Sequence, residues 1–140
     1  MYNSDVITEV LPMGREAILL DRVTEVEPGK MGRGIKNITI TELPFKGDKR
    51  TKPNYPEAML AETIGQLGVF IHLIHPENRG KSTVLAKIKD FEFFNHVYPG
   101  DQVELTYEVI KKRETSGLGI GTASVNGVLI AQGEMIHFWE

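Results

Sequence analysis

Nineteen residues between two prolines, EAMLAETIGQLGVFIHLIH from Glu57 to His75, constrain this chain more than any other segment. Pro56 and Pro76 bracket them. The residue before a proline avoids the α region, so Pro53 and Pro56 mark an extended entry. Met59, Leu60, Ile64, Leu67, Phe70, Ile71 and Ile74 surround most of the helical cylinder. A helix apolar on nearly every side must be wrapped by other elements. Ala58, Ala61, Gly65 and Gly68 are small. An interior helical glycine costs about 1 kcal/mol against alanine, so a pair of them points to close approach by a neighbour.

The wrapping material reads as strands. Ile18–Val26 and Ile35–Ile40 are β-rich runs joined through a Glu27-Pro28-Gly29 turn. Val84, Ala86 and Ile88 alternate with Leu85, Lys87 and Lys89, and the apolar phase then moves to Phe91 and Phe93. A one-residue phase change turns the other face inward, which predicts a bulge near Lys89-Asp90. Tyr98-Pro99-Gly100-Asp101 predicts a turn, and Val103 to Val109 alternates as a half-buried strand. A further turn is expected at Ser116-Gly117, and Asn126-Gly127 carries a type I′ hairpin signature. Gly117, Gly119 and Gly121 alternate along one strand without the strand-to-helix context of a dinucleotide site, so they predict close packing. The expected fold class is α+β: a curved antiparallel sheet wrapped around one long central helix.

At 140 residues the chain is expected to form a single domain, residues 1–140. Sixteen basic against nineteen acidic residues argue against nucleic-acid binding. The absence of cysteine excludes thiol nucleophiles, disulfides and cysteine-ligated metals. None of the four histidines falls in a metal-binding spacing, so no metal is expected. The segment Met1–Glu9 lacks the apolar core of a secretory signal, and Glu62 and Gln66 interrupt the longest apolar stretch. A cytoplasmic protein with no membrane span is expected.

Two features stand out from this background. Glu62 lies within the apolar helix, and Gln66 shares its face four residues on. Carboxylates seldom sit buried without a partner. The pair is therefore expected to place a carboxyl and an amide at one spot against the core. A gap in the sheet, or a cation across a subunit interface, would account for Glu62 equally well. Lys46, Lys49, Arg50 and Lys52 form a basic cluster around Asp48. That cluster is either a solvated loop or a landing site for an acidic partner or phosphate.

Taken in order, these segments resemble the 3-hydroxyacyl-[acyl-carrier-protein] dehydratase family, the FabZ type of the hotdog fold. VLPMGREAILLDRVTEVEPGK resembles its opening segment, and IKNITITELPFKG its next strand and approach to the catalytic loop. KPNYPEAMLAETIGQ resembles the start of its central helix, and FNHVYPGDQVEL its later Pro-Gly-Asp turn. In that family a loop histidine removes the C2 proton of an acyl thioester. A helix carboxyl from the opposite subunit protonates the leaving hydroxyl. Backbone N–H groups at the helix start polarise the thioester carbonyl.

The resemblance assigns the helix acid to Glu62, with Gln66 in support, and the carbonyl-polarising region to Pro56, Glu57 and Ala58. A carboxyl in an apolar setting is a suitable general acid near neutrality. Where the family has Gly-His-Phe-Pro, this chain has Gly47-Asp48-Lys49-Arg50, and Glu57 replaces the glycine that begins the helix. Three readings follow. The first is a dehydratase-like lyase in which Asp48 replaces the base. The second is a non-catalytic subunit that binds an acyl chain or carrier protein. The third is a thioester hydrolase that uses Glu62 and Gln66. The resemblance implies no cofactor. It implies an acyl-thioester ligand, an acyl carrier protein landing on Lys46, Lys49, Arg50 and Lys52, and a homodimer or an oligomer of dimers.

Overall fold

The computed structural model describes residues 1–42, 45 and 53–140. Its central element is helix α2 (Glu57–Leu73), which begins directly after Pro56. Helix α1 is short, Ser4–Val10. The strands are β1 (Arg22–Glu27), β2 (Met31–Asn37), β3 (Thr83–Phe93), β4 (Gln102–Lys112), β5 (Ser116–Val125) and β6 (Val128–Trp139). They form a sheet in the order β1-β2-β4-β5-β6-β3, and every neighbouring pair is antiparallel.

The sheet packs on α2 as the all-round apolar pattern requires. Ile64, Leu67, Phe70 and Ile71 have no exposed surface, each burial contributing roughly 1.5–3 kcal/mol. The inward glycines of β5 make this contact possible. A Cβ on Gly121 would collide with Ile64, and one on Gly119 with Tyr107. From the helix side, a Cβ on Gly68 would stand 2.8 Å from the Tyr107 ring. The expected hairpin is present, with Asn126 at φ 50° and Gly127 at φ 80° between β5 and β6. The expected bulge is present too: the β3–β6 register shifts between Lys89 and Glu92, with Asp90 at φ 51°.

Three boundaries differ from expectation. The run starting at Ile18 enters the sheet only at Arg22, because the N–H groups of Leu19 and Leu20 are taken by Gln66. Strand β2 starts at Met31 and ends at Asn37. Gly32 and Gly34, poor strand formers in isolation, pack β2 against Ile71, Leu20 and Leu67. Ser116 and Gly117 open β5 rather than forming a turn, and the chain reverses before them through the Arg113 N–H to Ser116 carbonyl bond. Helix α1 was not expected. It buries Ile7 and Val10, while Tyr2 packs on Phe70 with ring centroids 5.6 Å apart. Among the described residues, no helix is long and apolar enough to cross a membrane.

Candidate active site

Gln66 and Glu62 sit one turn apart on α2 but meet different surroundings. Gln66 is only 1% exposed. Its Oε1 accepts the Leu19 N–H at 2.8 Å and the Leu20 N–H at 3.3 Å, and its Nε2 donates to the Ala17 carbonyl at 2.9 Å. The amide therefore braces the segment that leads into β1. Glu62 is exposed. The expectation that both press on one spot of the core is corrected. The 17–20 segment covers the turn that carries Gln66, and no described residue covers Glu62.

Glu62 belongs to a patch of open helix surface with Glu57 and Ala58, while almost everything from Leu60 onward is buried. The Met59 and Leu60 N–H groups both bond the Pro56 carbonyl. Among the described residues, no hydrogen-bond partner meets the Glu57 and Ala58 N–H groups at this end. They lie at the positive end of the helix dipole. An open cleft of about 360 Å³ reaches Glu57 between Phe93, Phe94, Asn95, His96 and Tyr98. Phe94 is half exposed in its wall, and Asn95 is tied to the Leu129 carbonyl at 2.9 Å. Sequence reasoning did not place His96 or the two phenylalanines here. The β3 bulge and the 98–101 turn were legible, but their approach to the helix start was not. Asp48, Lys46, Lys49, Arg50 and Lys52 lie outside the described residues.

A second group borders the helix entry. Lys36, near the end of β2, is 6% exposed. Its Nζ lies 3.1 Å from Glu42 Oε1 and 3.9 Å from Asp21 Oδ2, and 6.0 Å from the centroid of the Tyr55 ring. Tyr55 is buried, and its N–H donates to the Val97 carbonyl at 2.7 Å. Burial, together with the Glu42 carboxylate, pushes the Tyr55 hydroxyl up to about 12. One signal for Lys36 was available in the sequence. It continues the inward phase of Gly32 and Gly34, where a charge is unexpected.

At the opposite end of α2, His72 stacks on Trp139 at 4.1 Å, and His137 lies between Tyr107 and Gly65. Burial lowers both imidazoles to about 4 and raises the Tyr107 hydroxyl. The space between these rings is about 10 Å³, room for no more than a water molecule. The described residues contain no group of three histidine, aspartate or glutamate side chains placed to hold a metal.

Residues 11–137 match the sequence profile of the FabA-like domain. The 3-hydroxyacyl-[acyl-carrier-protein] dehydratase FabZ of Bacillus subtilis is 38% identical over 135 residues, covering 96% of each chain. The enzyme of that name from Roseiflexus is 38% identical over 130 residues, 93% of this chain and 91% of its own. Among solved structures, the dehydratase heterocomplex ApeI:P from Xenorhabdus doucetiae superposes with a TM-score of 0.80 at 14% identity, covering 96% of this chain and 90% of its own. A hot-dog-like protein from Thermanaerovibrio acidaminovorans gives 0.64 at 18% identity, covering 82% and 84%. The hotdog fold expected from the sequence is the fold observed.

Proposed function

The chain belongs to the FabA-like family, and on that premise we propose that it is a single-domain acyl-thioester protein of the cytoplasm that dehydrates a 3-hydroxyacyl thioester. The observation that carries this reading is the placement of Glu62. It is a carboxylate on the open end of an otherwise buried helix, in the same first turns as the N–H groups of Glu57 and Ala58. In the proposed elimination, Asp48 takes the C2 proton and the thioester carbonyl takes up the charge. The Glu57 and Ala58 N–H groups stabilise that charge. Glu62 then gives a proton to the C3 hydroxyl, the C3–O bond breaks, and water leaves as the C2–C3 double bond forms. No cofactor enters the balance.

A homodimer fits the uncovered surfaces. Strand β3 is a sheet edge, with Val84 57% and Ile88 44% exposed. Long apolar edges call for a partner. A second copy would also enclose the Glu62 face and bring the two halves of the site together. Lys46, Lys49, Arg50 and Lys52 would receive an acidic carrier protein.

The absence of the family histidine, with Asp48 in its place, favours a second reading: an acyl-binding subunit without chemistry of its own. The hydrolase reading draws less support because Gln66 is buried, with Oε1 taken by two backbone N–H groups and Nε2 donating to the Ala17 carbonyl. The deciding experiment supplies purified protein with 3-hydroxyacyl and saturated acyl thioesters and follows enoyl product and free thiol. Enoyl product that falls about 10²-fold in Glu62→Gln supports the dehydratase. Acyl binding without enoyl product supports the second reading, and free thiol supports hydrolysis.

A further inference from the structure

We propose that the outward face of the sheet binds the same face of a second copy of this chain, stacked on it about a two-fold axis that crosses the strands. The inward positions are fixed by α2, which Tyr107, Gly121 and His137 meet directly. The residues that alternate with them on β4, β5 and β6 point away from the helix. In a sheet covered on one side such positions are normally polar. Here they include Ile110 and Phe138, 52% and 54% exposed, and the partly exposed Leu118, Ile120 and Ile136. The register makes them one stripe: Leu118 pairs with Ile136, and the flanking outward rows set Ile120 beside Glu134 and Ser116 beside Phe138. A contiguous exposed apolar stripe marks an interaction surface.

Charge identifies what covers it. Along the outward side of β4 the chain runs from Glu104 and Glu108 through Ile110 to Lys111, and Arg113 follows at the turn. A cleft of about 370 Å³ joins Lys111 and Arg113 to Leu118, Ile136 and Phe138, so both cations border the stripe. A second cleft, about 330 Å³, joins Asp90, Glu92 and Glu134 to Ile120 at the other end. Lys89 beside Glu134 offsets one of these acids, and Arg33 at that end is taken by Glu25. Among the described residues, no ion pair engages Glu104, Glu108, Lys111 or Arg113. The face is therefore acidic at one end, apolar in the middle and basic at the other. A two-fold axis crossing the strands at Ile110 sets that residue against its own counterpart. It also lays Lys111 and Arg113 of each copy over Glu108 and Glu104 of the other. Aligned sheets pack about 10 Å apart with strands within about 30° of each other, close enough for these side chains to pair. A lipid surface or anionic ligand would suit the basic end and be repelled by the acids at the other. The contact leaves the β3 edge free, so it is compatible with a homodimer formed through that edge.

The test is sedimentation equilibrium of the purified protein beside two charge-reversed variants, Glu104→Lys/Glu108→Lys and Lys111→Glu/Arg113→Glu. We expect the wild type at no less than twice the mass of either variant. Each variant opposes like charges at both ends of the contact, so its association should weaken about 100-fold. The two variants mixed, and a chain carrying all four reversals, should regain the wild-type mass, since each restores opposite charges across the axis. Raising the salt to about 0.5 M should weaken the wild-type association by screening. Ile110→Lys, which sets two cations together at the axis, should also lower the mass, and it serves if a reversal fails to fold. Equal masses in all folded proteins overturn the proposal. So does a mass that falls in the reversed variants and is not regained by the four-charge chain, since the face would then meet something other than its own copy in this orientation.

Discussion

The side chain of Gln66 hydrogen-bonds the backbone of Leu19 at 2.8 Å across 47 residues of chain. One amide on the central helix thereby satisfies one buried and one half-buried N–H group and one carbonyl in the segment ahead of β1. The residue that the resemblance sets in support of Glu62 is thus also a brace for the segment ahead of β1.

Gln66→Leu should therefore cost stability well beyond a surface substitution. It strands the buried Leu20 donor and the half-buried Leu19 donor and frees the carbonyl of the exposed Ala17. A buried stranded donor costs about 1–3 kcal/mol, and a total loss of about 2 kcal/mol is expected in urea unfolding. A loss under about 0.5 kcal/mol, the range of surface changes, would show that the brace is dispensable.

His137 makes the fold sensitive to acid. The Gly65 carbonyl only accepts, so Nε2 carries the proton and Nδ1 accepts from the Tyr107 hydroxyl at 3.0 Å. Burial lowers this imidazole from 6.5 to about 4. The folded state thus prefers the neutral form more strongly than the unfolded chain does. The contribution is complete above pH 6.5 and is lost as pH falls from there toward 4, amounting to about 3 kcal/mol. Urea midpoints between pH 7.5 and 4 should fall accordingly, and less steeply in His137→Asn. Equal slopes in the two proteins would remove His137 as the cause.

Gly121 is the tightest meeting of sheet and helix. Adding a Cβ by Gly121→Ala drives it into Ile64, a fully buried side chain. Overpacking of this kind costs about 1–3 kcal/mol. Removing the obstructing Cγ2 with Ile64→Ala should return part of that loss, so the double variant should be more stable than the two single changes sum to. Strict additivity would mean that the two residues do not meet as described.

How far the site could be foreseen depended on the range of the forces involved. Helix α2 was legible because nineteen consecutive residues carry its pattern, and the 126–127 turn because two residues set their own backbone. The start of β1 was not legible, since Ile18–Leu20 look like strand and are diverted by a glutamine more than forty residues away. Helical spacing places Gln66 and Glu62 on one face. It does not say which part of that face another segment will cover.

The sequence by itself determined that a helix apolar on nearly all sides would be wrapped by an antiparallel sheet, and where its glycines would admit that sheet. Burial of so much apolar surface leaves few alternatives. The tertiary structure alone decided that Gln66 turns its amide to the Ala17–Leu20 backbone, that Lys36 is buried between Glu42 and Tyr55, and that Glu62 faces outward. Hydrogen bonds and ion pairs act over about 3 Å, so their partners are known only once distant parts of the chain have been brought together.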